Sequence, residues 1–168
     1  RFEKAVCKLL KVKYAVAVNS CTSGLQIAIQ AVQKKKMDFV TSPVSFASTA
    51  NAILFNNSKP IFIDINPESL NLDLIELKKK INKNKNIRGI IPVHIGGAAS
   101  GSKELYRFAK KKRLIVIEDA AHSFGSKYED GFQVGSCKHS DMSVFSFHPV
   151  KTITTGEGGM VTTNSRKL

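Results

Sequence analysis

The 168-residue chain has the length of one domain that buries a substantial core, with no apolar run long enough to span a bilayer and no signal-peptide pattern. Its three cysteines, Cys7, Cys21 and Cys137, lack the paired spacing of a zinc site or a disulfide framework, so we expect a reducing, cytoplasmic setting. The formal net charge of +13 raises nucleic acid as a partner.

Apolar runs alternate with helical patterns along most of the chain. The strand-like runs are short, β-branched and not alternating, as expected for a parallel sheet covered on both faces. In chain order we predict helix 2–10, strand 14–18, helix 23–32, strand 39–40, helix 45–55, strand 60–65, helix 72–81, strand 89–93, helix 102–111 and strand 114–118. The sequence therefore predicts an α/β domain built from right-handed crossovers.

The last part of the chain has a different pattern. After Gly125 the helical spacing ends, and the strand-like runs 142–147 and 159–163 follow, separated by a turn rich in Thr and Gly. Strands this close in sequence pair antiparallel, so the sheet is expected to be mixed near its end.

The lysines cluster in three runs, 34–36, 78–80 and 110–112, each late in a helical pattern. Cations there complement the helix dipole, and in a parallel α/β sheet these helix ends lie opposite the ligand crevice. We therefore interpret the lysine runs as solvated helix ends. A basic module that binds nucleic acid is the non-enzymatic alternative.

The segment 19–24, NSCTSG, lies between a predicted strand and helix. Backbone N–H groups of Thr22, Ser23 and Gly24, with two hydroxyls, would form an anion site at a helix N-terminus, and the alternative is a plain Ser/Thr cap. Neither G-x-G-x-x-G nor a Walker A pattern is present, so a dinucleotide or nucleoside triphosphate gains no support.

Three further segments end predicted strands. Asp119 follows a buried apolar run, where its carboxylate could pair with a protonated heterocyclic nitrogen or cap the next turn. His122 could contact the same ligand or have a structural role. Phe46 could stack on a flat ring or pack in the core.

The third segment, 144–164, reads VFSFHPVKTITTGEGGMVTTN and contains Ser146 and Lys151. A lysine amine in apolar surroundings can lose its proton and form a Schiff base with a carbonyl, whereas a lone lysine after a strand is usually solvated surface. Together the segments supply an anion cradle, an aromatic lid, a carboxylate and an imine-forming amine, which are the requirements of pyridoxal 5'-phosphate (PLP).

Whole stretches of the chain resemble one family, the PLP-dependent sugar aminotransferases of the DegT/DnrJ/EryC1/StrS type, with fold type I. The resemblance is carried by NSCTSGLQIAI, SPVSFASTANAI, KPIFIDI, PVHIGG, IEDAAHSFG and SVFSFHPVKTITTGEGGMV. The last of these segments most resembles the PseC-like branch, which aminates UDP-linked 4-keto-6-deoxy-N-acetylhexosamines on the route to pseudaminic acid.

The resemblance implies roles for individual residues. Lys151 would bind PLP covalently and later move the proton, and Asp119 would keep the ring nitrogen protonated. The other implied cofactor contacts are Thr22, Ser23 and Ser146 to the phosphate, Phe46 to the ring, and His122, where many relatives have glutamine, to the ring hydroxyl. Some relatives are dehydratases with histidine in place of the lysine, so Lys151 favours transamination.

The expected function is therefore transfer of an amino group, with glutamate as donor, to a nucleotide-linked keto-sugar for surface amino-sugar biosynthesis, by a homodimer. A PLP-dependent sugar dehydratase or a cyclitol-ketone aminotransferase is the enzymatic alternative. Residues 96–102, GGAASGS, differ from the usual sequence of the family at this position. We expect residues 1–168 to be an incomplete PLP-binding large domain, lacking its start and a small C-terminal domain, that alone binds PLP poorly and does not transaminate.

Overall fold

The computed structural model describes residues 1–33 and 35–168. Within those residues the chain forms a seven-stranded sheet flanked by α-helices. The helices are α1 (Phe2–Leu10), α2 (Cys21–Val32), α3 (Ala47–Phe55), α4 (Leu74–Lys83) and α5 (Ser102–Lys111), with a short 3₁₀ helix at Ile95–Gly97. The strands are β1 (Tyr14–Val18), β2 (Asp38–Thr41), β3 (Lys59–Phe62), β4 (Ile87–Ile91), β5 (Ile115–Asp119), β6 (Met142–Ser146) and β7 (Gly159–Thr163).

The strand order is β1-β7-β6-β5-β4-β2-β3. The five strands from β6 to β3 in this order pair in parallel, while β7 lies antiparallel to both β1 and β6. The predicted α/β class and the mixed end of the sheet are confirmed. Because the strands other than β7 share one direction, their carboxyl ends meet at a single edge of the sheet.

Most predicted boundaries lie within three residues of the observed ones, and the shifts have physical causes. Helix α2 begins two residues early, at Cys21, because the Ser20 side chain caps it. Strand β3 ends at Phe62, not at residue 65, because Ile65 turns away to form an isolated bridge with Leu72. The 3₁₀ helix was not predicted.

Helices cover both faces of the sheet, and the alternation of side chains along each strand divides the core between them. On one face, Leu25 and Ile53 of α2 and α3 pack with Ile117 and Val144. The other face packs against α1, α4 and α5. In β5, therefore, Ile117 and Asp119 face α2 and α3, whereas Glu118 faces the opposite side.

Two of the predicted lysine runs reach the last turns of their helices, with Lys80 in α4 and Lys110 in α5, whereas Lys78 and Lys79 lie in the middle of α4. Lys110 lies in the last turn of α5, and its Nζ is 2.6 Å from Oδ1 of Asp141, which directly precedes β6. This cation therefore lies at the edge of the sheet opposite the carboxyl ends. Lys34 falls outside the described residues. None of the helices in the described part of the chain has the length and hydropathy of a membrane span.

Candidate functional site

A cavity of about 340 Å³ lies where the carboxyl ends of β4, β5 and β6 meet the N-terminus of α2. Six of the seven predicted site residues line it. They are Thr22, Phe46, Asp119, His122, Ser146 and Lys151. Residues from five separate parts of the chain thus converge at one edge of the sheet, where ligands of open α/β sheets bind.

The N-terminus of α2 forms one wall of this cavity. Ser20 has an extended backbone, and its Oγ accepts a hydrogen bond from the Ser23 N–H at 3.1 Å. The Ser23 hydroxyl is engaged as well, 3.0 Å from Ser20 Oγ, and Ser23 is the one predicted residue outside the lining. Ser20, Cys21 and Thr22 line the wall in its place. No acidic residue occupies the first turn of α2, so its positive dipole end is left for an anion.

Asp119 is the last residue of β5 and is 4% exposed. Its Oδ2 accepts a hydrogen bond from the Thr49 hydroxyl at 2.6 Å, and its Oδ1 accepts one from the Ala121 N–H at 3.3 Å. Asp119 therefore does cap the following turn, as the local alternative proposed. Among the described residues it forms no salt bridge, so this buried carboxylate has neutral donors and room for a cation.

Lys151 lies between β6 and β7 and is partly exposed. Its backbone N–H donates to the His148 carbonyl at 2.9 Å. Its positive charge acts on two neighbours across the cavity. Burial, assisted by the Lys151 charge and opposed by Asp119, lowers the pKa of His122. Burial and the Asp119 charge raise the pKa of the Cys21 thiol, and here the Lys151 charge opposes the shift. His122 is therefore a neutral imidazole, and Cys21 a neutral thiol, at neutral pH.

Phe46 is the N-cap residue of α3 and is 80% exposed. The core-packing alternative for its ring is thus wrong in this chain. Val150, 77% exposed, joins it among the residues that line the cavity. Two large exposed apolar side chains that line the same cavity indicate a surface that another molecule or segment covers.

Ser146 ends β6 and is buried, with its Oγ accepting from the His148 N–H at 3.4 Å. Because the Ser146 oxygen is the acceptor in this bond, the hydroxyl keeps its own proton available to a ligand. Gly158 and Glu157 complete this side of the cavity. The structure therefore brings a second hydroxyl to the same cavity as the α2 N-terminus.

Sequence reasoning missed three residues around the site. Thr49 was read only as part of a helical pattern, although a threonine in an apolar helix is a weak signal of a polar contact. His94 lines the cavity, and its Nε2 lies 3.1 Å from Oε1 of Glu118 on the opposite face of β5. A charged residue inside an apolar strand was the signal for that pair, since it requires a partner.

Glu118 is fully buried, and its oxygens accept hydrogen bonds from the Tyr128 hydroxyl at 2.8 Å and from the Ser143 hydroxyl. Burial is the largest influence and raises its pKa, but the neighbouring His94 and the two hydroxyl donors outweigh it, so the pKa lies below its ordinary value. Glu118 is therefore ionised at neutral pH. On the face of β5 opposite Asp119, the hydrogen bonds of the Glu118 carboxylate hold the strand in place.

Comparison with known proteins finds relatives that match the whole chain. A model of the DegT/DnrJ/EryC1/StrS aminotransferase family matches residues 1–168. The UDP-4-amino-4,6-dideoxy-N-acetyl-beta-L-altrosamine transaminase of Campylobacter jejuni is 43% identical over 168 residues, which are 99% of this chain and 44% of that protein.

Solved structures show the same fold. Helicobacter pylori PseC, an aminotransferase involved in the biosynthesis of pseudoaminic acid, superposes with a TM-score of 0.92 at 35% identity, over 99% of this chain and 44% of the other. NtdA from Bacillus subtilis, solved with bound cofactor PMP, has a TM-score of 0.88 at 30% identity, over 99% of this chain and 37% of the other. The chain thus spans less than half the length of the relatives that it matches.

Proposed function

The chain belongs to the DegT/DnrJ/EryC1/StrS aminotransferase family, and from this we propose that residues 1–168 are the incomplete cofactor-binding large domain of a PLP-dependent sugar aminotransferase. The observation that carries the proposal is the meeting in one cavity of Lys151 and a buried Asp119 that forms no salt bridge with any described residue. An amine and a carboxylate in these positions suit a cofactor that has a carbonyl at one end and a basic ring nitrogen at the other.

The residues present fit PLP. Asp119 has only neutral donors among the described residues, so a protonated ring nitrogen would satisfy its charge. The N-terminus of α2 offers N–H groups and the Thr22 hydroxyl to a phosphate, and Phe46 leaves a ring face free. When bound, PLP supplies a positively charged ring that withdraws electrons from the carbon bearing the transferred amino group.

Each side chain then has a defined task. Lys151 holds the cofactor covalently, and its Nζ afterwards removes and returns the proton at the carbon that gains or loses the amino group. Asp119 keeps the ring nitrogen protonated. Thr22 and Ser146 bind the phosphate, while Ser23 supports that site by fixing Ser20 at the cap of α2. The fifth contact is His122, whose neutral imidazole can hydrogen-bond the ring hydroxyl.

The proposed substrate is a UDP-linked 4-keto-6-deoxy-N-acetylhexosamine, with glutamate as the amino donor, on a route to a surface amino sugar such as pseudaminic acid. The similarity to the Campylobacter jejuni UDP-4-amino-4,6-dideoxy-N-acetyl-beta-L-altrosamine transaminase supports this class. We further propose a homodimer, because Phe46 and Val150 expose apolar surface beside the cavity. A cytoplasmic location fits the three free cysteines and the nucleotide-linked substrate.

The test uses the full-length protein that contains this chain. Borohydride reduction of the yellow holoprotein should fix the cofactor on Lys151, located by peptide mapping. Lys151→Ala should be inactive, whereas the control Lys35→Ala, at an exposed residue, should behave as wild type. Turnover by Lys151→Ala would refute the proposal.

Product analysis separates this function from its enzymatic alternative. With keto-sugar and glutamate supplied together, amination converts glutamate into 2-oxoglutarate in proportion to the amino sugar formed. Dehydration consumes no net amino donor, so product without 2-oxoglutarate would favour a sugar dehydratase.

A further inference from the structure

Thr49 lies in the first turn of α3 with its side chain fully buried. Its Oγ1 donates a hydrogen bond to Oδ2 of Asp119 at 2.6 Å. We propose that Thr49 is a positioning residue: its hydroxyl orients the Asp119 carboxylate toward the ring nitrogen of the cofactor. This inference rests on the proposed function of the cavity.

The backbone of Asp119 is fixed independently of its side chain. Its N–H donates to the Pro92 carbonyl at 2.9 Å, and its carbonyl accepts from the His94 N–H at 3.1 Å. These bonds place the Cα but leave the side-chain torsions free. The orientation of the carboxylate must therefore come from contacts made by its two oxygens.

The two oxygens of Asp119 differ in the strength of these contacts. Oδ1 accepts the N–H of Ala121 at 3.3 Å and lies 3.9 Å from the Cys21 sulfur, a weak donor. Oδ2 accepts the Thr49 hydroxyl at 2.6 Å, within the range of charge-assisted O–H···O⁻ bonds. Thr49 is thus the strong donor among the described partners of this carboxylate.

A purely structural role would place the Thr49 hydroxyl elsewhere. In a helix, a threonine hydroxyl usually bonds to a backbone carbonyl three or four residues earlier. The Thr49 hydroxyl instead reaches a residue 70 positions away, on a strand of the sheet. The single hydroxyl proton of Thr49 is therefore donated to Asp119.

Thr49 also connects two walls of the cavity. Its backbone N–H donates to the Phe46 carbonyl at 3.2 Å, and Phe46 is the residue from which α3 starts. One residue therefore holds both the carboxylate and the segment that carries the exposed aromatic ring. Because the bond to Phe46 is made by the backbone, Thr49→Val and Thr49→Ser keep it and differ only in the contact with Asp119.

The experiment replaces Thr49 in the full-length protein with valine, which keeps the shape, and with serine, which keeps the hydroxyl. A hydrogen bond to a charged group accounts for roughly a 10- to 100-fold change in an equilibrium constant. T49V should therefore raise the PLP dissociation constant of the apoprotein by roughly that factor and lower kcat while leaving KM for the sugar near wild type. T49S should restore both.

Thr41→Val is the matched control. Thr41 is also fully buried, and its hydroxyl donates to the Ile91 carbonyl at 2.9 Å, away from the cavity lining. T41V makes the same threonine-to-valine change at a buried hydroxyl, but in strand β2, so it should lower the melting temperature of the apoprotein without changing cofactor affinity. A fall in PLP affinity of the same size in T41V and T49V would overturn the proposal.

A second readout is the pH dependence of cofactor absorbance, which a packing defect does not move. The midpoint should shift in T49V and return in T49S. If wild type binds PLP on Lys151 but T49V matches it in affinity and in this midpoint, the positioning role is refuted while the proposed function stands. If wild type itself binds no PLP, the proposed function fails.

A double-mutant cycle covers the case in which T49V does not fold. With Thr49→Ala and Asp119→Asn, the PLP dissociation constants should be non-additive, because the hydroxyl acts through the carboxylate. Additive effects would show that Thr49 acts independently of Asp119 and would overturn the inference.

Discussion

The imidazole Nε2 of His94 lies 3.1 Å from Oε1 of Glu118, and both side chains are buried, at 2% and 0% exposed. His94 extends from the end of β4 into the lining of the cavity, while Glu118 lies on the face of β5 opposite Asp119. The pair therefore joins the two strand ends that carry the site. A buried carboxylate is tolerated here because His94 and two hydroxyl donors surround it.

Removing one member of this pair should be strongly destabilising. We expect His94→Phe to lower the free energy of unfolding by about 3–5 kcal/mol, because it leaves the Glu118 charge buried without its imidazole partner. Urea unfolding followed by circular dichroism measures the change. The double variant His94→Phe/Glu118→Leu should recover much of the loss, and equal stability of H94F and wild type would contradict the assignment.

Glu118 should also make stability depend on acid pH. Its pKa is lowered in the folded state relative to the ordinary value of 4.5, so the folded state favours the ionised form. The resulting stabilisation is present above pH 4.5 and is lost as pH falls through the lower, folded-state pKa. Urea unfolding at a series of acid pH values should give a steeper decline for wild type than for E118Q, and parallel curves would refute this.

Gly159 should be essential to the anion site at α2. A Cβ built there would lie 2.6 Å from the Ser20 carbonyl carbon and 2.8 Å from the Cys21 nitrogen, so Gly159→Ala displaces the start of the helix. We expect a clear loss of PLP affinity, measured by titration of the apoprotein. Gly89→Ala is the control, because its Cβ would meet the Phe39 ring, away from the cavity; it should lower stability while sparing PLP affinity.

His122 should tolerate glutamine but not leucine. Burial and the Lys151 charge lower its pKa, so at neutral pH it acts as a neutral hydrogen-bonding group, which an amide can replace. His122→Gln should keep cofactor affinity near wild type, whereas His122→Leu should weaken it by roughly five- to tenfold, the value of one neutral hydrogen bond. Titration of each apoprotein with PLP measures this, and equal losses in both variants would argue against a hydrogen-bonding role.

Element types were predictable from local patterns, because apolar periodicity and β-branched runs act over a few residues. The bounds of α1, β1, α5 and β7 agree with the structure, and β5 differs by one residue. That one residue matters, because it makes Asp119 the end of a paired strand and not part of the turn. The start of α2 was less predictable, because it depends on the cap that the Ser20 side chain forms.

The amino-acid sequence by itself determined the family and supplied the groups from which the site is predicted: an amine at Lys151, a carboxylate at Asp119 and hydroxyls at the start of α2. Only the tertiary structure decided which groups support them. Thr49 and Asp119 are 70 positions apart, and His94 meets Glu118 across neighbouring strands, so no local pattern pairs them. The reason is physical, because strand order and the alternation of side chains along β5 decide which face each carboxylate occupies and which donors surround it.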